Sequence, residues 1–247
     1  MSGIYVGTSG FNYKHWSNGV FYPEDIPQRE WLEYYARNFD TVELNVSFYR
    51  LPKESVFEGW HERTPTNFIF VVKGSRFITH IKRLKDCKDS IELFFGRAKG
   101  LKEKLGVVLW QLPPNFRVDA ERLNEFCELL KKNKVAKGTK QVFEFRHDSW
   151  FCDKVYEILK THNFSLCVAH SKCWPCEKVI TANYVYMRFH GGEVLYGSNY
   201  SDEELKMWAS KAQKWLNEGK DIYVYFNNDA YGYAVRNAKK FRELLKS

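Results

Sequence analysis

The sequence predicts an α/β fold, a (β/α)8 TIM barrel built as a single domain over residues 1–247. Three observations lead there. The length of 247 residues suits one large barrel, because such folds routinely reach this size without splitting. No Pro/Gly/Ser-rich linker, low-complexity tract or sequence repeat divides the chain. Eight short apolar, β-branched or aromatic runs alternate with helix-patterned segments, the order that builds a parallel sheet covered by its own helices. A doubly wound open sheet is the other architecture this alternation allows.

The strand runs occupy 4–7, 41–45, 68–73, 107–111, 141–145, 165–169, 184–189 and 222–226. After the first, Trp31, Tyr34, Tyr35 and Phe39 form an apolar stripe behind Pro27. After the fourth, Leu123, Phe126, Cys127 and Leu130 do the same behind Asp119. The clearest helix is "SDEELKMWASKAQKWLNEGKD". Ser201 and Glu204 make a capping box, Leu205, Trp208, Ala212, Trp215 and Leu216 form the stripe, and Gly219 supplies the stop. Between runs six and seven, "SKCWPCEKVITA" has no helical period, so an irregular or missing helix is expected there.

Strand side chains alternate between faces, so in a barrel one set packs under the helices and the other points to the axis. In "TVELN", Val42 and Leu44 suit the helix side, which turns Glu43 and Asn45 inward. By the same parity Glu144 and Arg146 point in from run five, and Tyr184, Tyr186, Arg188 and His190 from run seven. Tyr223, Tyr225 and Asn227 follow from run eight, and Ser9, Lys73 and Gln111 from C-terminal strand ends. This polar set gathers at the C-terminal face, where barrel active sites lie. A single inward Glu–Arg pair would be ordinary scaffolding. Five inward charges on four strands fit a site better, because buried charge is costly even when paired.

Glu43 and Glu144 stand against Lys73, Arg146 and Arg188, which implies an anionic ligand. The chain as a whole carries 38 Lys+Arg against 30 Asp+Glu, a net +8. Ten Lys/Arg and four Asp/Glu lie within 73–104, so six of the eight excess charges belong to one segment. That segment holds "KGSRFITHIKRLK", in which Arg76, Lys82 and Arg83 are candidate phosphate contacts. Two carboxylates across a barrel mouth can divide acid and base work. A glycosidase uses such a pair, but three accompanying cations suit a phosphoryl group better than a neutral sugar.

Glu43, Glu144 and His190 are therefore the expected catalytic residues, with His190 transferring protons. Ser9, Asn45, Lys73, Arg76, Gln111, Arg146, His147, Arg188, Asn227 and Asn228 are expected to bind substrate. One divalent ion on Glu43, Glu144 and His190 is the metal site this set allows. A dense two-metal cluster would need more than His147, His170 and Asp229 can add. Cys173 and Cys176 have metal or redox spacing and Cys152 could approach them, but no second CxxC completes a zinc site. No P-loop, complete GxGxxG or GxSxG is present, which leaves nucleotide-binding and serine-hydrolase readings without support. No apolar run approaches membrane-spanning length and "MSGIYVGTSG" lacks a signal-peptide pattern, so a cytoplasmic protein with reduced cysteines and no membrane partner is expected.

Through "GTSGF", "FYP", "TVELNVSFYRLP", "KGSRFITH", "QLPP", "EFRHDSW", "RFHG" and "YVYFNNDAYGYAVRNA", the chain resembles the YecE-like family, domain of unknown function 72 (DUF72). These motifs span essentially the whole chain in order; "CWPC" is not among them. The resemblance implies a TIM barrel. It leaves the activity open, while likeness to endonuclease IV-like barrels implies nucleic-acid binding or phosphoester cleavage, without the His-rich three-metal ligand set of that enzyme. The expectation is thus a hydrolase-like enzyme acting on a phosphate-bearing small molecule or nucleic acid. The alternative is a non-catalytic nucleic-acid or anion-binding protein, with Phe77, Tyr231 and Tyr233 as stacking residues.

Overall fold

Eight parallel strands form one sheet in the computed structural model, which describes residues 3–245. They are β1 Ile4–Thr8, β2 Thr41–Leu44, β3 Ile69–Lys73, β4 Leu105–Gln111, β5 Lys140–Glu144, β6 Ser165–His170, β7 Tyr184–Phe189 and β8 Asp221–Phe226. The main crossover helices are α1 Trp31–Asn38, α2 Glu54–Glu62, α3 Lys88–Ala98, α4 Ala120–Lys132, α5 Asp153–His162, α6 Asp202–Asn217 and α7 Tyr233–Leu244. One helix or more follows every strand except β6. There the chain runs from 171 to 183 as an irregular strap, as the missing helical period predicts. None of the described helices is long and apolar enough to cross a membrane.

Strand order runs β1-β8-β7-β6-β5-β4-β3-β2, and β1 and β2 meet through a single parallel bridge between Ser9 and Glu43. The rest of that seam is closed by a side chain. The Tyr35 hydroxyl accepts from the Thr8 amide at 3.0 Å and donates to the Thr41 carbonyl at 3.1 Å, pairing groups that two adjacent strands would have paired directly. Gly7 makes room for it. A Cβ at position 7 would lie 2.3 Å from the Thr41 carbonyl oxygen and 3.1 Å from the Tyr35 hydroxyl.

The facing inferred from alternation holds. Val42, Leu44, Phe143, Phe145, Val185, Met187, Phe189, Ile222, Val224 and Phe226 pack in the layer under the helices. Inside the barrel a second cluster contains Val71, Val107, Leu109, Val142, Cys167, Ala169 and the tyrosines 184, 186, 223 and 225. The helix stripes behave the same way: Leu123, Phe126, Cys127 and Leu130 of α4 are buried, as are Leu205, Trp208 and Ala212 of α6. At the start of α6 both capping-box bonds form, Glu204 N–H to Ser201 Oγ at 3.1 Å and Ser201 N–H to Glu204 Oε2 at 2.8 Å. Asn45 departs from the strand expectation. Its backbone turns into the helical region and starts a short helical turn, Val46–Tyr49, that crosses the barrel mouth.

Candidate functional site

Above the inner tyrosines, the C-terminal strand ends place Ser9, Glu43, Lys73, Gln111, Glu144, Arg188 and Asn227 around one axis. Apart from Asn227, each is less than a tenth exposed. Arg188 is the centre. Its Nη2 donates to Glu43 Oε1 at 2.7 Å and to Ser9 Oγ at 3.3 Å, and its Nη1 donates to Glu144 Oε2. One guanidinium therefore joins carboxylates from β2 and β5.

Each carboxylate is satisfied further. Ser9 Oγ donates to Glu43 Oε1 at 2.5 Å and the Tyr186 hydroxyl donates to Glu43 Oε2 at 2.6 Å. Glu144 Oε1 accepts from Arg146 Nε at 3.0 Å, pairs with Arg146 Nη2 at 2.9 Å, and faces His190 Nε2 at 3.4 Å. Burial pushes the Glu144 carboxyl up, but Arg188, Arg146 and His190 outweigh it and hold the group well below the usual carboxylate range. Burial favours the neutral form of Arg188 too, and Glu144 and Glu43 reverse this, keeping it charged.

His190 is enclosed. The Asn227 amide donates to Nδ1 at 3.1 Å, which leaves Nε2 to carry the proton that faces Glu144. Burial, reinforced by Arg188, lowers its pKa to about 4, so it is neutral at pH 7. Lys73, the last residue of β3, stands apart. Among the described residues its Nζ makes no hydrogen bond and no ion pair; it lies 4.2 Å from the centre of the Phe48 ring. Burial first, then Arg188, lowers its pKa to about 7, against the opposing pull of Glu144 and Glu43.

Over this buried cluster lies a cavity of about 910 Å³. Lys73, Gln111, Arg146, Arg188 and Asn227 line it, with Tyr13, Asn45, Phe48, Tyr49, His80, Tyr196 and Asp229 as walls and rim. Asn45 donates to the Ser9 carbonyl at 3.2 Å. Asp229 accepts from Trp16 Nε1 at 2.8 Å and meets His15 Nε2 at 2.7 Å, so its charge is engaged at the rim.

Several expected site residues are placed elsewhere. Asn228 is buried but donates to the Ser198 carbonyl at 2.9 Å and Asn237 Oδ1 at 2.8 Å, tying α7 to the loop before α6. His147 Nδ1 accepts from the Ser149 amide at 3.2 Å and caps a short turn after β5. Arg76 is solvent-exposed and does not line the cavity. His170 faces outward, where its Nδ1 meets the Tyr200 hydroxyl at 2.9 Å. Asn228, His147 and Arg76 lie past the ends of their strands, where alternation no longer fixes direction, while His170 closes β6 on its outward face.

The metal expectation is corrected. Among the described residues no three His, Cys, Asp or Glu are grouped so as to hold an ion, and the Arg188 guanidinium fills the place between Glu43 and Glu144 that a bridging cation would take. Cys173 is exposed, Cys176 and Cys152 are partly buried, and all are free thiols. The residue of the strap that reaches the site is the one between them. Trp174 packs against the inner barrel cluster, its ring 4.1 Å from the Arg146 guanidinium and 5.1 Å from the His190 ring. Trp174 thus covers the stretch of mouth where β6 contributes only Cys167 and Ala169. Tyr13, His80 and Trp174 were not singled out from sequence, and Tyr186 was placed inside without a role at the carboxylates. The signal available was a tryptophan inside the one connection without helical period.

The family described as "Protein of unknown function DUF72" matches residues 5–247. The UPF0759 protein YunF of Bacillus subtilis (strain 168) is 28% identical over 273 residues, covering 98% of this chain and 94% of that protein. The UPF0759 protein YecE of Escherichia coli (strain K12) is 39% identical over 85 residues, 34% of this chain and 31% of its own length. The crystal structure of a DUF72 family protein from Thermotoga maritima MSB8 superposes with a TM-score of 0.86 at 33% identity, covering 99% of this chain and all of that one.

Proposed function

This chain belongs to the DUF72 family, proteins of unknown function, and we propose that it is an enzyme whose barrel mouth binds a small phosphate-bearing anion and acts on it through the amine of Lys73. One observation carries this reading: the cavity floor offers Lys73 Nζ and Arg146 Nη1 as donors without hydrogen-bond partners among the described residues, while the oxygens of Glu43 and Glu144 are all engaged. Charge follows the same logic. Arg188 and Arg146 balance the two carboxylates, so a protonated Lys73 is the remaining positive group, and a phosphate on Arg146 gives it a counter-charge.

The roles expected of the carboxylates shift accordingly. Glu43 and Glu144 hold the arginines in place, and His190, fully enclosed and neutral, fixes Glu144 and Asn227. Proton transfer passes to Lys73, whose amine opens on the cavity with its pKa lowered to about 7. In phosphoester hydrolysis its charged form would donate the proton to the leaving oxygen. Gln111, Asn45 and Asn227 supply neutral polar contacts.

Calorimetry with inorganic phosphate and a simple phosphate monoester tests this. Binding at pH 7 is expected to be accompanied by proton uptake at Lys73, read as a dependence of the heat on buffer ionisation. Arg146→Met is expected to weaken binding by about tenfold to a hundredfold, the size of a lost charge-assisted hydrogen bond. Equal affinity in wild type and variant, or no binding, would remove the reading.

A second reading, nucleic-acid binding without chemistry, draws on exposed aromatics beside the mouth. Tyr49 is 79% exposed, Phe77 48% and Tyr231 67%, and such rings stack on unpaired bases. Affinity for single-stranded oligonucleotides that falls steeply with salt, with no turnover of any phosphate ester, would favour it.

A further inference from the structure

We propose that the uncharged amine of Lys73 forms an imine with the aldehyde or ketone group of a phosphate-bearing substrate, making this mouth a site of carbonyl chemistry. The inference rests on the anion-binding reading above and adds the electrophile. Three features of the site support it.

The first is isolation. A lysine meant to be a fixed charge is normally held by a carboxylate, and here two carboxylates lie in the same layer. Glu43 Oε1 is taken by Ser9 and Arg188, Glu43 Oε2 by Tyr186, Glu144 Oε1 by Arg146, and Glu144 Oε2 by Arg188. Lys73 is left with an aromatic face on one side and the cavity on the other.

The second is the field around it. Arg188 and Arg146 disfavour the ammonium form, Glu144 and Glu43 favour it, and burial tips the balance towards the free amine. His80, on the same cavity wall, is itself held neutral, chiefly by burial and then by Lys73, with its pKa lowered to about 4. With the Lys73 pKa lowered to about 7, comparable amounts of amine and ammonium coexist at neutral pH, the condition under which lysines act as nucleophiles.

The third is rigidity and room. Lys73 closes a barrel strand, and its carbonyl accepts from Ser47 Oγ at 2.7 Å, so the side chain springs from a fixed point. The cavity of about 910 Å³ accommodates a small phosphorylated molecule whose anionic end rests on Arg146.

The step balances without an oxidant or reductant. The Nζ lone pair bonds to the carbonyl carbon and the C=O π pair moves to oxygen, giving a carbinolamine. The nitrogen then forms a double bond to that carbon as the C–O bond breaks, and the oxygen leaves as water with the two protons of the amine. Once protonated, the imine draws electrons from the adjacent carbon and eases loss of a proton or scission of a carbon–carbon bond there.

Trapping tests it. The protein is incubated with dihydroxyacetone phosphate, glycolaldehyde phosphate or unphosphorylated dihydroxyacetone, then reduced with sodium cyanoborohydride and mapped by peptide mass spectrometry. A reduced adduct concentrated on the peptide carrying Lys73, absent in Lys73→Arg and suppressed by excess inorganic phosphate, is the expected result. Labelling of Lys73 no greater than that of surface lysines with all three probes would overturn the imine, and retained phosphate binding in calorimetry would then leave the anion reading standing. Trapping at Lys73 by unphosphorylated dihydroxyacetone alone, unaffected by phosphate, would keep the imine and remove the anion reading.

Discussion

Arg188→Met removes the one cation that both inward carboxylates share, and the loss can be apportioned from the contacts. Arg188 is 1% exposed and both glutamates are fully buried, so no water replaces the missing donors. Glu144 keeps Arg146 at 2.9 Å, whereas Glu43 keeps only the hydroxyls of Ser9 and Tyr186. Most of the cost therefore falls on Glu43, and breaking one partner out of a buried ion pair costs about 3–5 kcal/mol. Against a total stability of roughly 5–15 kcal/mol, that is a large share. Urea unfolding followed by far-UV circular dichroism should show the midpoint falling with the slope unchanged. Adding Glu43→Gln removes the stranded charge while keeping acceptor and donor in place, so the double variant should regain at least half the loss. A single variant costing under about 1 kcal/mol, or a double variant no better than the single, would refute the claim that the cluster is one balanced unit.

Two further outcomes follow. Between pH 7 and 10.5, Lys73 binds less proton in the folded chain than in the unfolded one, so its contribution to wild-type stability rises with pH through that window. Lys73→Met should therefore stabilise most below pH 7, with the advantage shrinking as pH approaches 10.5; a margin independent of pH would contradict this. Gly7→Ala should push apart the β1–β2 seam at Thr41 and Tyr35 and cost about 1–3 kcal/mol, lowering Tm by roughly 2–4 °C for each kcal/mol. An unchanged Tm would mean the seam opens freely.

The fold was legible because two periodicities are written plainly in the chain. Alternation set the facing of Glu43, Glu144 and Arg188 correctly, and the lack of helical period in 171–183 marked the missing helix. What alternation cannot carry is the stagger between strands. From sequence, Glu43 and Glu144 face each other as two free carboxylates; in the barrel both reach the same guanidinium on β7, and the lysine beside them is the group left over. Direction was also lost past the strand ends. Asn228 and His147 follow strands closely, yet local hydrogen bonds to Asn237 and Ser149 turn them away. Trp174 was hidden by its neighbours, since the cysteine spacing drew the reading while the ring between them packs on Arg146.

The account turns on Lys73 being an unpartnered amine in a buried, positive setting. Competitive acylation across pH, read by mass spectrometry on the Lys73 peptide against surface lysines, measures its ionisation directly. Half-maximal reactivity near pH 7 is the predicted result. A titration near the ordinary lysine value of 10.5 would contradict it.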